Sequence, residues 1–177
     1  MRIKKYKIFM DFEKEEAWLN KMAGLGFHFV EYKFGRYYFE KGVPGAYIYR
    51  LEMLDDYPTD EKSAEYIAFL KEQHIEMVTS YHTWAYFRKK AEDGSFEIYT
   101  DIPSRMKHYE KVARIFGIVL LINFAIGCIN VNINNINNIN IYLSVVNFLI
   151  AIILFIPYVK IGLKVKHLKQ EKELFDR

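Results

Sequence analysis

The sequence contains little cysteine and proline, and one long segment has no charged residue. Among 177 residues there are 1 Cys, 4 Pro and 9 Gly. The lone cysteine, Cys128, excludes an intramolecular disulfide framework and a zinc site made of cysteines. Residues 115–159 contain no Asp, Glu, Lys, Arg or His. The chain therefore has a charged part, long enough for one compact domain, and a strongly apolar part.

Residue motifs that identify a reaction are also missing. The five histidines include no pair at i, i+4 and no His-Glu-x-x-His sequence, so we expect no metal site. Gly24-Leu-Gly26 lacks the third glycine of a dinucleotide-binding loop, and it ends a predicted helix instead of opening one. No Gly-Lys-Ser/Thr loop, Gly-x-Ser-x-Gly elbow or cysteine–histidine nucleophile set occurs. We expect no catalytic residues, no cofactor and no enzymatic activity.

Charges of the two signs balance over the amino-terminal part. Residues 1–111 carry 18 Lys and Arg against 19 Asp and Glu, so the formal net charge of +3 comes from Arg114 and the residues after Val159. A protein that contacts nucleic-acid phosphates needs a basic surface. We therefore expect no nucleic-acid partner.

The uncharged segment is long enough for two membrane-spanning helices. A helix needs roughly 20 apolar residues to cross a bilayer, and we place spans near 115–133 and 139–159 with an asparagine-rich turn at Asn134–Asn138. Lys and Arg flank only the outer ends of this hairpin, which puts both termini and the soluble domain in the cytoplasm at the inner membrane. A buried hairpin of a soluble protein is the alternative, although such helices rarely run this long without charge.

Two asparagines lie near the middle of the predicted spans. Asn123 and Asn147 could each hydrogen-bond a neighbouring helix, which contributes around 1 kcal/mol in membranes. No ionisable residue lies in the spans to carry ions or protons, so contact between helices is favoured over a transport site. The lysines after Val159 predict a basic tail attracted by anionic lipid or serving only as a topology anchor.

The amino-terminal part contains the order strand, helix, strand, strand twice. Alternation and helix spacing predict βαββ units over about 4–41 and 46–90. Aligning the units places Tyr38 and Phe39 on Tyr86 and Phe87. Duplication is favoured over chance similarity. The expected α+β fold is one antiparallel sheet with both helices on one face, followed by a two-helix transmembrane hairpin.

Four parts of the chain follow from these patterns. They are a cytoplasmic α+β domain over 1–103, a connecting helix over 104–114, two transmembrane helices over 115–159 and a basic cytoplasmic tail over 160–177. No flexible linker separates the domain from the membrane segment, because Pro103 and Ser104 open a helix that leads directly into the first span.

The sheet face turned away from the helices is the predicted binding surface. If Phe27 and Phe29 point to the helices, alternation places on the other face Tyr32, Tyr37, Phe39, Arg50, Glu52, Glu76 and Phe87. An aromatic face with few charges should not be bare in water. It would bind a small amphipathic ligand, a regulator protein, another copy or the membrane. The alternatives are a second core layer covered by residues 96–114, and a register slip that exchanges the two faces.

Four segments of this sequence resemble a known bacterial family. They are residues 7–23, Tyr37-Tyr-Phe-Glu-Lys41, Ala46-Tyr-Ile-Tyr-Arg-Leu51 and Trp84-Ala-Tyr-Phe-Arg-Lys89. Over about residues 3–110 the chain resembles the family called domain of unknown function 2812. The resemblance implies a cytoplasmic domain tethered by carboxy-terminal transmembrane helices. Genes of the family often neighbour PadR-like regulators, which implies a role in envelope stress or drug response.

The doubled order of elements is also similar to that of gyrase-inhibitor-like effector-binding domains. That similarity implies an aromatic floor for a lipophilic or cationic compound, with Glu52 or Glu76 as the acidic group; the aromatic residues would be Tyr32, Tyr37, Phe39 and Phe87. Arg50 departs from a purely acidic pocket. We therefore expect a membrane-anchored sensor of a small amphipathic molecule. A protein-interaction adaptor, or a membrane protein that associates with itself, is the alternative.

Overall fold

A computed structural model describes residues 2–132 and 138–175. The chain divides into two compact units, the first ending at Ile98 and the second beginning at Tyr99. The predicted turn at Asn134–Asn138 lies outside the described residues, except for Asn138.

The first unit has the predicted order of strands and helices. Its elements are β1 (Arg2–Tyr6), α1 (Phe12–Gly24), β2 (Phe27–Lys33), β3 (Arg36–Lys41), β4 (Tyr47–Met53), α2 (Glu61–Glu72), β5 (Ile75–Tyr81) and β6 (Trp84–Lys90). Strand, helix, strand, strand therefore occurs twice, and the predicted α+β class is confirmed.

The strands form two antiparallel sheets of three strands instead of the one sheet that was predicted. Their orders are β1-β3-β2 and β4-β6-β5, so the last strand of each unit lies in the middle of its sheet. Each sheet also has a register shift, which lies in β2 between Phe29 and Glu31 and in β5 between Met77 and Thr79. The shifts occur at equivalent places in the two units, which supports the predicted duplication.

Side chains of α1 occupy the free edge of β4. The Asn20 amide donates to the Tyr49 carbonyl over 2.9 Å and accepts from the Tyr49 N–H over 2.8 Å. The Leu51 N–H donates to the Glu16 carboxylate over 3.0 Å. These contacts satisfy backbone groups that a neighbouring strand would otherwise pair. The edge of the second sheet is therefore closed by a helix, which explains why β4 joins no strand of the first sheet.

Helix α1 begins and ends at residues suited to those positions. The Asp11 carboxylate accepts from the backbone N–H groups of Glu13 and Lys14, which caps the first turn. After the helix, Gly26 has φ +78°, and a Cβ there would lie 2.9 Å from the Gly42 carbonyl oxygen. Only glycine fits this close, left-handed turn into β2.

Two hydrophobic cores lie on the two faces of the second sheet. The first core joins α1 to both sheets; its buried members are Leu19, Met22, Ala23, Phe29, Tyr37, Phe39, Tyr49, Leu51 and Tyr86. The second core lies beneath α2 and contains Leu54, Leu70, Ala85, Phe87 and Phe96. Phe96 and Ile98 pack here, as in the alternative in which a segment after β6 covers a second apolar layer.

The second unit consists of two helices, α3 (Ile102–Asn132) and α4 (Asn138–Phe175). They pack antiparallel, with the Phe124 and Phe148 rings 5.7 Å apart and Glu110 paired with Lys169 over 3.5 Å. Each helix is long and apolar enough to cross a membrane. The predicted connecting helix is continuous with the first predicted span, and the predicted tail is continuous with the second through Lys172 in the last turn.

Candidate functional site

A carboxylate joins the two sheets inside the first core. Glu15, on α1, accepts hydrogen bonds from the hydroxyls of Tyr37 and Tyr86, and both bonds are 2.7 Å long. Tyr37 lies on β3 in the first sheet and Tyr86 on β6 in the second. The ring of Tyr32 lies 4.8 Å from the Tyr37 ring and 5.7 Å from the Tyr86 ring. We call Glu15, Tyr32, Tyr37 and Tyr86 the acid–tyrosine cluster.

Burial controls the protonation of the acid–tyrosine cluster. It raises the pKa of Glu15, and the hydrogen bonds from the two tyrosines oppose only part of that rise. Burial also raises the pKa of the Tyr37 and Tyr86 hydroxyls, and the nearby Glu15 carboxylate raises it further. Both hydroxyls therefore stay protonated donors at neutral pH. The cluster stabilises the packing of α1 on both sheets. The described residues contain no group of three or more His, Cys, Asp or Glu side chains that could hold a metal ion.

The predicted open aromatic face is wrong in its geometry. Tyr37 is 1% exposed, and Phe39 and Phe87 are 0% exposed. Phe29 is paired with Phe39, so both rings point to the same side instead of to opposite sides. A two-residue turn at Phe34-Gly35 without a bulge would pair Phe39 with Val30. The shift between Phe29 and Glu31 moves this register by one residue and exchanges the facing of Phe29.

A tyrosine hydroxyl supports the backbone at this bulge. The Phe29 N–H donates to the Tyr49 hydroxyl over 3.0 Å, and that hydroxyl donates to the Phe29 carbonyl over 3.4 Å. Tyr49 is on β4 of the other sheet. The shift that reorients Phe29 therefore depends on a contact between residues 20 positions apart in sequence.

The charged members of the predicted site do not meet. Arg50 pairs with Glu16 over 3.3 Å and with Glu97 over 2.7 Å. The Glu52 carboxylate accepts from the Tyr66 hydroxyl of α2 over 2.9 Å. Glu76 pairs with Arg88 at the edge of the second sheet. The seven predicted residues are thus divided among the first core, the α2 side of the second sheet and an open cleft.

The two asparagines of the helical hairpin each donate within their own helix. The Asn123 amide donates to the Val119 carbonyl and the Asn147 amide to the Leu143 carbonyl, both over 2.8 Å. Each bond uses one donor of the asparagine amide, and the predicted hydrogen bonding to a neighbouring helix stays a prediction. The helices approach closely at Gly127, where a Cβ would lie 2.8 Å from the Phe148 ring. Small residues permit such close packing of membrane helices.

The cleft lies at the end of the second sheet and has a volume of about 480 Å³. It is lined by Tyr47, Lys71, His74, Ile75, Glu76, Arg88, Lys90 and Asp93. The Arg88 guanidinium lies 4.4 Å from the centre of the Tyr47 ring and 2.8 Å from the Glu76 carboxylate. One contact places the guanidinium on an aromatic surface, and the other fixes its direction.

The sequence contains a signal for the buried position of Glu15. Glu15 lies in the first turn of α1, where an acidic residue also occurs for electrostatic reasons alone. Glu15 is, however, one turn before Leu19, which is fully buried, and so lies on the buried stripe of α1. Glu16 stands in the same relation to Asn20, and both bond to the edge of β4. No comparable pattern marks the cleft, because its lining comes from β4, α2, β5, β6 and the residues that follow them.

The fold and these sites describe an α+β module joined to two helices of membrane-spanning length. Residues 11–121 match the family described as a protein of unknown function, DUF2812. The match covers more than half of the chain and extends from α1 into α3, so the protein belongs to this family. Comparisons with curated proteins and with solved structures give no match. The similarity to gyrase-inhibitor-like domains therefore stays a prediction.

We expect Glu15→Gln to change how stability depends on pH. Burial raises the pKa of Glu15 in the folded state, so the protonated carboxyl contributes to the free energy of unfolding. This contribution is complete below the ordinary pKa of 4.5 and is lost as the pH rises through the pKa of the folded state. Glutamine keeps an acceptor oxygen and cannot ionise. As the pH is raised from about 4 to about 8, the free energy of unfolding of the variant should therefore increase relative to that of the parent.

Urea titrations of the full chain in detergent can measure this difference through tryptophan fluorescence. Trp18 and Trp84 are both in the first unit, and they are the only tryptophans of the chain. Glu65→Gln, at an exposed position on α2, is the matched control. A Glu15→Gln difference that is the same at both ends of the pH range would contradict the account of Glu15.

Proposed function

We propose that the protein is a non-enzymatic binding module anchored in the inner membrane, with the α+β unit on the cytoplasmic side. The cleft of the second sheet binds a small amphipathic molecule. The observation that carries this proposal is the Arg88 guanidinium, held over the Tyr47 ring and directed by Glu76. A volume of about 480 Å³ lies in the range of pockets that take small ligands.

The charges of the cleft favour an anionic group on that ligand. Lys71, Arg88 and Lys90 line the cleft together with Glu76 and Asp93. Arg88 is paired with Glu76 and Lys90 with Glu92, so Lys71 is the lining cation outside these ion pairs. Glu76 is engaged with Arg88, so it is not an open acceptor for a ligand cation. Tyr47 and Ile75 provide an apolar surface beside these charges. A molecule with an aromatic body and a carboxylate or sulfonate fits better than the lipophilic cation expected from the gyrase-inhibitor-like similarity.

A sensing role follows from joining such a cleft to a membrane anchor. Ligand binding would change the stability of the second sheet, where β5 and β6 line the cleft. The proposed setting is envelope stress or drug response, as the family resemblance implies. An adaptor that binds a regulator protein or a second copy is the competing function.

We expect the α+β unit to be on the inner side of the membrane. Lys62→Cys on α2, in a Cys128→Ser background, should react with a membrane-impermeant maleimide only after the cells are opened. Val131→Cys, near the other end of α3, should react in intact cells. The basis is the distribution of lysine and arginine, which lie outside residues 115–159. Labelling of Lys62→Cys in intact cells would overturn this orientation.

We expect an aromatic anion to stabilise the full-length protein in nanodiscs. With 2-naphthalenesulfonate as probe at about 100 times its dissociation constant, the gain is roughly 2.7 kcal/mol, which raises Tm by several degrees. Tyr47→Ala and Lys71→Gln should each reduce the shift. Tyr57→Ala removes an exposed tyrosine outside the cleft and should leave the shift unchanged.

Thermal unfolding followed by tryptophan fluorescence gives the readout, with tetraphenylphosphonium as an aromatic cation for comparison. A shift with the cation alone would contradict the charge assignment of the cleft. A naphthalenesulfonate shift that survives Tyr47→Ala would contradict the site. The absence of any shift would favour the adaptor function.

A further inference from the structure

Three large apolar side chains are exposed together at one end of the first sheet. Ile8 is 84% exposed, Phe34 78% and Tyr6 68%. The Lys7 N–H donates to the Gly35 carbonyl over 3.0 Å, which holds the end of β1 beside the turn between β2 and β3. A Cβ added at Gly35 would lie 3.6 Å from Cγ1 of Ile8. We call Tyr6, Ile8 and Phe34 the apolar tip.

The turn conformation gives no local reason for a phenylalanine at its first position. Phe34 has φ +38° and Gly35 has φ +75°, so both residues are left-handed, as in the tight turns that join twisted hairpins. Asparagine, aspartate or glycine is favoured at such a position, and a bulky residue is strained there. Phe34 is also exposed, so burial within its own unit does not compensate for the strain. An exposed apolar ring on a strained backbone indicates that the ring contacts a partner or a surface outside the unit.

Positive charges surround the apolar tip. Residues 2–8 and 33–36 contain no Asp or Glu, and their cations are Arg2, Lys4, Lys5, Lys7, Lys33 and Arg36. The Arg2–Glu40 ion pair, 3.0 Å long, lies at the other end of β1, and Glu31 pairs with Lys33 over 2.7 Å. Lys4, Lys5, Lys7 and Arg36 lie outside these two ion pairs, although residues 1–111 as a whole are almost neutral.

We infer that the apolar tip docks on an anionic lipid surface, that of the membrane which α3 and α4 are long enough to cross. Exposed aromatic and aliphatic side chains among lysines and arginines are the composition that inserts into a headgroup region of negative charge. The anchor raises the local concentration of lipid, so even weak docking is populated. The inference rests on the proposed membrane anchor and is independent of the cleft, which is in the other sheet.

A fluorescent probe on the full chain tests the docking. Ile8→Cys in a Cys128→Ser background takes an environment-sensitive dye, and the protein is reconstituted in vesicles of phosphatidylcholine with or without about 30% phosphatidylglycerol. We expect a blue-shifted emission and at least about twofold stronger quenching by spin-labelled lipid in the anionic vesicles. High salt should reverse the change. The matched control is Val43→Cys, 70% exposed in the loop that follows β3, at the other end of the sheet.

Two further variants separate docking from folding. Phe34→Gly removes the ring and relieves the left-handed strain, so it should reduce quenching without lowering Tm. Lys4→Gln with Arg36→Gln should reduce quenching in anionic vesicles, whereas Lys14→Gln with Lys62→Gln should not. Flotation of the vesicles first shows whether the anchor is inserted, and failure at that step overturns the anchor as well as the docking. Inserted protein whose Ile8 probe behaves alike in both lipids, or like the Val43 probe, overturns the docking alone.

Discussion

The first unit depends on half-buried polar side chains of α1 that bond to both of its sheets. Glu15 accepts from one tyrosine of each sheet, and Asn20 and Glu16 bond to the free edge of β4. These bonds span between 22 and 71 positions in sequence. The Arg50–Glu16 ion pair and the bonds of the Tyr49 hydroxyl to Phe29 add to these polar contacts between the two βαββ units. A buried carboxylate requires such partners, because an unpaired one would cost several kcal/mol.

This arrangement determines which surfaces are available for binding. The rings around Glu15 are buried in the first core, and the ring of Phe87 on the α2 side of the second sheet is buried in the second core. The cleft at Tyr47 and Arg88 and the apolar tip are formed by residues that take no part in these hydrogen bonds of α1. The proposed binding at either place would therefore leave the hydrogen bonds of α1 intact.

Sequence patterns that act locally predicted much of the fold. The absence of charge over residues 115–159 predicted two long apolar helices, and period-two alternation predicted the strands of the two βαββ units in the order found. The division into two sheets was not predictable in this way. It depends on Asn20 reaching Tyr49, a contact across 29 residues that no spacing rule describes. The prediction of the binding face was wrong because it also depends on a contact between distant residues. The bulge after Phe29 is supported by Tyr49 from the other sheet.

The role of Glu15 as the link between the sheets can be measured with one double-mutant cycle. Tyr37→Phe, Tyr86→Phe and the double variant are compared by urea unfolding of the full-length protein, followed by tryptophan fluorescence. Because both hydroxyls donate to one oxygen of Glu15, removing either changes what the other contributes. The account predicts a coupling free energy of about 0.5–3 kcal/mol between the two sites. Additive losses within about 0.3 kcal/mol would mean that the tyrosines act separately, and would contradict the link.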